Sequence, residues 1–454
     1  MGLMDPTAPV DLTKRLRDLL DESSTERAVK EGLDDAVRGN FDSPYLPPSG
    51  TSAVDREYRE LMDRADLPVC GLVVKAVTDR LAVEAVRSDS DALDDELWGW
   101  WQHSKLDSRQ SQLYSDALSF GDGYLSVTLA ENGTPRLMPE SPLALYAKHD
   151  PLDPLKVSVA VKRVGDRAWL YTDEAIYRFQ RGKPNVLGWD LKETTPHPLG
   201  ECPIVRFANN LDSMGRSESE IKVALPFQRR INQSVFTRLL LEAHTAWRQR
   251  WIAGIDVEKD AGGEPIPPFR MGVDQLLAAP DPDTKFGEFQ ASSTADLLKA
   301  VEEDLRHLAV ATQTPPTLFA VSSVSNISQE SLAALDSGLT RKVESKQTAF
   351  GEAYEYAMVL GGRLLGRDLS SAHMLQMVWT NKELRSLSQR SDAYVKLQAA
   401  GLPHAWLMEH LLDMSPPTID RVLASAAAEK SVDALAQAQA FGVTNGESPN
   451  PSGV

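Results

Sequence analysis

The sequence predicts an α+β protein, mainly α, and three observations carry that prediction. Residues 215–251 and 328–360 each hold a helical apolar stripe far beyond the usual three or four turns. Between 121 and 208 the apolar residues come instead as short β-branched or aromatic runs separated by turn residues. Elsewhere, shorter helical stripes alternate with Pro- and Gly-rich breaks. Helices that long are hard to bury inside a small monomer, and they point to a subunit that packs against copies of itself.

In chain order, residues 1–50 open on a short amphipathic helix marked by Leu12, Leu16, Leu19 and Leu20 and end in the turn-rich FDSPYLPPSG. Helical spacing resumes from Asp55 to about Arg80 through Tyr58, Leu61, Met62, Val69, Val73 and Val77, with a break at Pro68. The acidic SDSDALDDELWGWWQ opens another helix, its carboxylates in the first turn where the helix dipole favours them. GDGYLSVTLA reads as a turn and a strand, and KVSVAVKR, RAWLYTD and AIYRFQRG extend an antiparallel sheet that closes with PIVRFANN. The first long helix follows, with Ser217 as its cap, Glu218 and Glu220 in its first turn and a kink expected at Pro226. Some thirty helical residues span about 50 Å.

Residues 252–290 break into turns and short strands around AGGEPIPP and AAPDPD. A helix of ordinary length carries Leu297, Leu298, Val301, Leu305 and Leu308, and TQTPPTLFAVSSVSN is a loop. The second long helix starts near Ser328, shows Leu332, Leu335, Leu339, Val343, Phe350, Tyr354 and Ala357 on one stripe, and closes at Gly361-Gly362. Shorter helices fill 382–399, 403–412 and 417–440, and the composition of GESPNPSGV predicts a disordered tail.

The 454 residues allow two or three compact units, or one extended protein with a modest core. With 65 acidic against 48 basic residues the formal charge is -17. A protein that grips nucleic acid needs a basic surface, so a DNA-binding module is disfavoured, although a conduit past which DNA slides is not. Nine Trp residues supply many packing anchors, within a subunit and between subunits. Cys70 and Cys202 form no CxxC pair, which predicts a reducing compartment without disulfides. MGLMDPTAPVDL has no basic region followed by an apolar run, Pro6 breaks the myristoylation pattern, and no stretch reaches the roughly 18 apolar residues of a membrane span. A soluble, intracellular protein is expected.

Catalytic motifs are missing. There is no GxSxG, no GxxxxGK[ST] and no GxGxxG after a strand, and Gly182-Lys183 runs into Pro184, which has no N–H to offer a phosphate. His404 and His410 lie on different helix faces, so surface histidines are preferred to a metal pair. Counted from Asp89, DSDALDDE puts Leu93 and Asp94 where a calcium loop needs an oxygen ligand and Gly, which favours an acidic helix start. Gly121-Asp122-Gly123 flanks a candidate catalytic Asp, but a tight turn into a strand asks for the same residues and is the preferred reading. Lys342 and Lys346, one turn apart, admit two readings: a solvated face paired with Glu344 or Glu352, or amines facing a polyanion. No catalytic, cofactor or metal residue is assigned, and neither enzyme activity nor a cofactor is expected.

The order of GDGYLSV, PIVRFANN, GRSESEIKVALPFQRRIN, QTPPTLF and SQESLAALDSGLTRKVESKQTAFGEAY resembles the portal proteins of tailed bacteriophages, in the branch of siphophages with actinobacterial and Gram-positive hosts. The resemblance covers about 50–425 and is strongest over Gly215 to Glu220, Gln313 to Leu318 and Ser328 to Tyr354; order and spacing carry it, since none is a catalytic signature. It implies a phage portal fold with long stem and tunnel helices, a small antiparallel wing sheet and a compact β-containing clip. Residues 1–50 become an N-terminal segment, 51–214 the wing, 215–251 the stem helix, 252–290 the clip and 291–312 the second stem helix. Residues 313–327 become the tunnel loop, 328–378 the tunnel helix and wing return, 379–440 the crown helices and 441–454 the tail.

The resemblance also implies a homo-oligomer, a dodecameric ring at one capsid vertex through which double-stranded DNA is packaged and ejected without sequence specificity. The implied partners are the major capsid protein, the terminase large subunit and the head–tail adaptor, in the virion and in the host cytoplasm during assembly, with no membrane. The candidate channel-facing residues are Val321, Ser322, Ser323, Val324, Ser325 and Asn326 of the tunnel loop, with Lys342 and Lys346 of the tunnel helix. In that setting the polyanion reading of the two lysines draws level with the solvated one. Twelve copies bring roughly -200 formal charges, which suits a conduit that must not hold DNA. The competing class is a non-channel helical adaptor or scaffold protein.

Overall fold

The computed structural model describes residues 8–40, 52–182, 188–246, 250–253, 285–288, 294–319, 329–369, 375–380, 387–412, 414, 418–419 and 421–427. The chain begins with helices α1 (Ala8–Arg38), α2 (Ser52–Ala65) and α3 (Val69–Thr78), strand β1 (Val83–Arg87), and helices α4 (Asp91–His103) and α5 (Leu106–Phe120). Eight strands follow: β2 (Asp122–Leu129), β3 (Pro135–Glu140), β4 (Leu145–His149), β5 (Val157–Val164), β6 (Arg167–Tyr171), β7 (Ala175–Arg181), β8 (Trp189–Pro196) and β9 (Ile204–Ala208). Then come α6 (Leu225–Ala246), β10 (Arg250–Ala253), β11 (Lys285–Glu288), α7 (Ala295–Thr312) and a 3-10 turn at Pro316–Phe319. The last described elements are α8 (Gln329–Leu364), β12 (Gln376–Trp379), α9 (Leu387–Ala399) and α10 (His404–Leu412). The chain divides into two compact units, one of Met1–Leu33, Val74–Glu220 and Ile327–Val454, the other of Asp34–Val73 and Ile221–Asn326.

The first unit carries most of the strands. The single antiparallel sheet expected over 121–208 is two: a three-stranded sheet in the order β3-β2-β9 and a five-stranded meander, β4 to β8. The split arises because β9 returns across the sequence to pair with β2, Asp122 opposite Ala208, while each strand of the meander pairs with its chain neighbour. A further pair, β1 with β12, has no counterpart in the periodicity reading. Leu16 and Leu19 of α1 pack with Val159, Val161, Leu170 and Phe179 of the meander.

A second apolar centre forms around α8. Tyr354 lies edge-on to Phe207 at 4.7 Å and to Trp101 at 5.0 Å, and Phe350 stacks on Tyr114 at 5.7 Å. Such offset and edge-on pairs add to the stabilisation that burial of the rings already supplies.

Three helix limits depart from the sequence reading, each for a physical reason. Helix α1 has 31 residues and is not short. Its buried face continues past the leucines through Ser23 and Lys30, both under 6% exposed, so the apolar stripe stops while the helix does not. Lys30 is accommodated there by Glu26 at 2.6 Å and by the ring of Tyr124.

The first long helix is shorter than expected. Residues 216–219 have no helical structure, 220–224 form turns, and α6 begins at Leu225, with 22 residues or about 33 Å. Pro226 therefore sits in the first turn, where its missing N–H costs no hydrogen bond and no kink follows.

The second long helix outruns its predicted end. Helix α8 has 36 residues and passes through Gly361 and Gly362. Those glycines serve packing: a Cβ on Gly362 would stand 2.6 Å from Leu369, and one on Gly361 3.0 Å from Trp100. The stop comes at Gly366, φ +72°, where the N–H groups of Arg367 and Gly366 bond to the carbonyls of Gly362 and Arg363 in a Schellman arrangement.

In the second unit α6 packs with α7 and with α2. Arg230 of α6 reaches Asp304 of α7 at 2.8 Å. Gln228 and Asn232 of α6 project into the connection between α2 and α3, where Pro68 removes a backbone donor. Strands β10 and β11 pair antiparallel. Among the described residues no helix is long and apolar enough to cross a membrane.

Candidate functional site

Within the first unit, four of the sequence segments singled out above converge on a buried polar knot. Strands β2 and β9 bring Asp122 and Arg206 together, and Arg206 Nε donates to Asp122 Oδ1 at 2.7 Å. The same guanidinium donates to the carbonyls of Pro154 at 2.6 Å and Gly215 at 3.2 Å, so its charge is spread over three acceptors while it is 2% exposed.

Beyond β9 the chain turns at Asn209 and Asn210, the latter at φ +48°, a conformation that Asn tolerates better than most residues. The following segment then runs back beside the end of α5. Glu218 N–H donates to Asn209 O, Ser219 Oγ to Ser119 O at 2.6 Å, and Glu220 N–H to Leu118 O at 2.9 Å. Those bonds fix the backbone of 218–220 and leave the Glu220 carboxylate facing α8.

Helix α8 meets it with two amines. Lys342 Nζ lies 2.5 Å from Glu220 Oε2 and Lys346 Nζ lies 2.9 Å from Oε1. Their i, i+4 spacing places both on one helix face. Asn210 Nδ2 donates to Glu220 Oε1 at 2.8 Å, and its Oδ1 accepts from Lys346. Both lysine side chains and Glu220 are less than a tenth exposed. A bidentate pair between Arg80 and Asp336, 2.7 Å on each arm, holds α8 one to two turns earlier.

Burial by itself would raise the pKa of Glu220, but the two lysines outweigh it and bring the carboxyl down to about 2. Burial lowers the pKa of Lys346, with Glu220 acting in the opposite direction. The knot is thus an ionised carboxylate between two cations in a site largely closed to water. Chemically it is a clamp: each charged group of the knot has its partner within the chain, while the buried Asn209 Oδ1 accepts no hydrogen bond among the described residues.

The sequence-predicted residues are distributed as follows. Val321, Ser322, Ser323, Val324, Ser325 and Asn326 lie outside the described residues. Lys342 and Lys346 have neither of the surroundings considered from sequence: their amines face Glu220, not Glu344 or Glu352 on a solvated face, and they are not presented as free cations. Asp122 is held by Arg206, which accounts for the Gly-Asp-Gly turn in structural terms. Ser90 caps α4 by accepting from Leu93 N–H, and Asp94 bonds to Ser88, so the DSDALDDE run is a helix start. Ser217 caps no helix, because α6 starts eight residues later. His404 bonds to Tyr394 and Gln398. The side chain of His410 lies outside the described residues, among which no group of three or more His, Cys, Asp or Glu is placed to hold a metal ion. Sequence reasoning missed Arg206, Asn209, Asn210 and Glu220 as one site, since the only local signal was the polar run at the end of a buried strand.

The chain matches the model of the family "Phage portal protein, SPP1 Gp6-like" over residues 34–432. It is 30% identical over 357 residues to the portal protein of Mycobacterium phage D29, covering 73% of this chain and 72% of that protein. It is 28% identical over 390 residues to the portal protein of Mycobacterium phage L5, covering 80% and 78%. Among solved structures it is similar to a chain from the neck of an empty gene transfer agent particle computed with C6 symmetry, with TM-score 0.48, 15% identity, and 84% and 98% of the two chains covered. A chain from the neck of the native particle computed with C12 symmetry gives TM-score 0.47 and 16% identity over 84% and 98%.

Proposed function

This chain belongs to the SPP1 Gp6-like family of phage portal proteins, and from that membership we propose that it forms a closed ring of identical subunits, twelve in the virion, at one vertex of the capsid. Double-stranded DNA passes through the centre of the ring during packaging and ejection, without sequence-specific contact. The observation that carries the reading is the family match over 34–432, which takes in both compact units and the polar knot. The net charge of -17 supports it, since an acidic wall lets DNA move without holding it.

In this reading α8 is the tunnel helix, and Val321 to Asn326 belong to the loop that meets DNA. Helices α6 and α7 build the stem, residues 252–290 the clip, the strand-rich part of the first unit the wing, and the helices after 379 the crown. The terminase large subunit docks while the capsid fills, the head–tail adaptor replaces it afterwards, and the major capsid protein surrounds the ring. Lys342 and Lys346 contribute by holding the tunnel helix against Glu220, not as amines offered to DNA.

Electron microscopy of the purified protein tests this. A ring with a central hole is the expected image. A stable monomer under all conditions, virion-like salt included, overturns the reading, and partner-dependent assembly without a closed ring favours the helical adaptor.

A further inference from the structure

At the C-terminal end of α4 the first unit has an open cavity of about 470 Å³ whose lining includes His103, Lys105, Arg109, Glu131, Arg136 and Met138. Three permanent cations face one carboxylate there. They come from three different elements: Lys105 from the link between α4 and α5, Arg109 from α5, and Arg136 from β3. A helix C-terminus attracts positive charge through its dipole, but that explains only the residues of the last turn, here His103. It does not bring Arg109 and Arg136 to the same cavity. Among the described residues none of these four basic side chains has an ion-pair partner. Lys105 also adopts φ +56°, a left-handed backbone that glycine accepts at lower cost, so a long cation stands where the turn itself asks for none.

The other end of the same helix is acidic. Asp89, Asp91 and Asp95 are exposed and have no ion-pair partner among the described residues, whereas Asp94 is already bonded to Ser88. Thirteen helical residues put the two ends about 20 Å apart. That is more than twice the Debye length of about 8 Å at physiological salt, so the two patches cannot neutralise each other within one chain. A closed ring needs a head-to-tail interface, in which one patch of a subunit meets a different patch of the next.

We infer that the basic cavity at the end of α4 receives the acidic start of α4 from the neighbouring copy, and that this pairing is one of the contacts closing the ring. The inference rests on the ring reading above. It adds which surfaces meet and makes the contact depend on charge.

Two variants test it, Lys105→Glu with Arg136→Glu, and Asp91→Lys with Asp95→Lys. All four positions are exposed, and circular dichroism with thermal unfolding checks that each variant folds. Each variant alone sets like charges against each other and is expected to lose ring assembly, read by electron microscopy and light scattering, by more than about tenfold in protein concentration. An equimolar mixture makes every interface complementary and is expected to recover rings in which the two variants alternate. Rings from either folded variant at wild-type concentration overturn the inference, as does a mixture that fails to recover while wild-type protein assembles. A wild-type chain that never associates is a different result, because it overturns the ring reading itself and the inference with it.

Discussion

The two compact units each hold a helix with a buried polar clamp, and the clamps are built from different chemistry. In the first unit the Glu220 carboxylate lies between Lys342 and Lys346 of α8. In the second unit the clamp is made of amides: Gln228 Oε1 accepts from Cys70 N–H at 3.1 Å, Gln228 Nε2 donates to Leu67 O and to Asn232 Oδ1, and Asn232 Nδ2 donates to Asp66. An amide offers donors and acceptors together and matches a backbone whose N–H and C=O both need partners. A carboxylate offers acceptors only and suits a site fed by amines. The amide clamp therefore repairs a local fault, the backbone gap at Pro68. Both clamps join segments distant in sequence, but only in the ionic one does the strength depend on the charge of each member.

That difference sets the sizes of the expected effects. Glu220→Ala leaves two buried ammonium groups without their counter-charge and is expected to destabilise the first unit by about 3–5 kcal/mol, read as a fall in the urea midpoint. A loss below about 1 kcal/mol would mean that the knot is hydrated and worth no more than a surface pair.

Acid comes next. The folded pKa of Glu220, about 2, lies below its ordinary value of 4.5, so the folded state binds the proton less readily than the unfolded one. The stabilisation is complete above about pH 4.5 and is lost as pH falls toward 2, for a total of about 3 kcal/mol. Unfolding titrations on wild type and Glu220→Gln should differ in slope across that window. Parallel curves would remove the ionised carboxylate from the account.

In the amide clamp, Gln228→Ala leaves Cys70 N–H unpartnered and takes one of two donors from Leu67 O, which keeps Val69 N–H. The expected cost is about 1–3 kcal/mol, by an amount that does not change between pH 7 and pH 5. A strong pH dependence in this variant would erase the contrast between the clamps. Asn232→Ala is the smallest, about 1 kcal/mol, since Gln228 keeps its two backbone bonds. Hydrogen exchange at the Cys70 amide, which donates to Gln228, should rise more in Gln228→Ala, and that at the Leu67 amide, which donates to Asn232 Oδ1, more in Asn232→Ala; the reverse order would exchange the roles of the two amides.

How much of this was legible in the sequence depended on distance along the chain. The stripe of α8 and the break at Pro68 were readable because a helical period and a proline act within a few residues. The long α1 was half-read, because its inner face changes from Leu16 and Leu19 to Ser23 and Lys30 without leaving the helix. Pro226 fits a kink or a start equally well, and only the non-helical course of 216–224 decides for the start. The candidate site was the least legible part. A glutamate a few residues before an apolar run looks like a first-turn residue, and nothing local says that Glu220 will face Lys342 and Lys346. Pairing of β2 with β9 brings those segments together, and that pairing spans most of the strand-rich region.

The knot also has a place in the chain's connectivity. Glu220 is the last residue of the first unit before the chain passes into the second at Ile221, and α8 is the first described element after the return at Ile327. The clamp between them closes the whole of 221–326 into a loop, as a disulfide would, but without a covalent bond. Closing a loop costs entropy that grows only with the logarithm of its length, about 0.6 kcal/mol per doubling. That scaling governs the length of the connections in the excursion, not α6 and α7, whose packing on each other and on α2 a deletion there would also lose. Loss of Glu220 would remove the direct tie between the two ends, each of which would keep its own anchor, the backbone bonds of 218–220 on one side and the Arg80–Asp336 pair on the other.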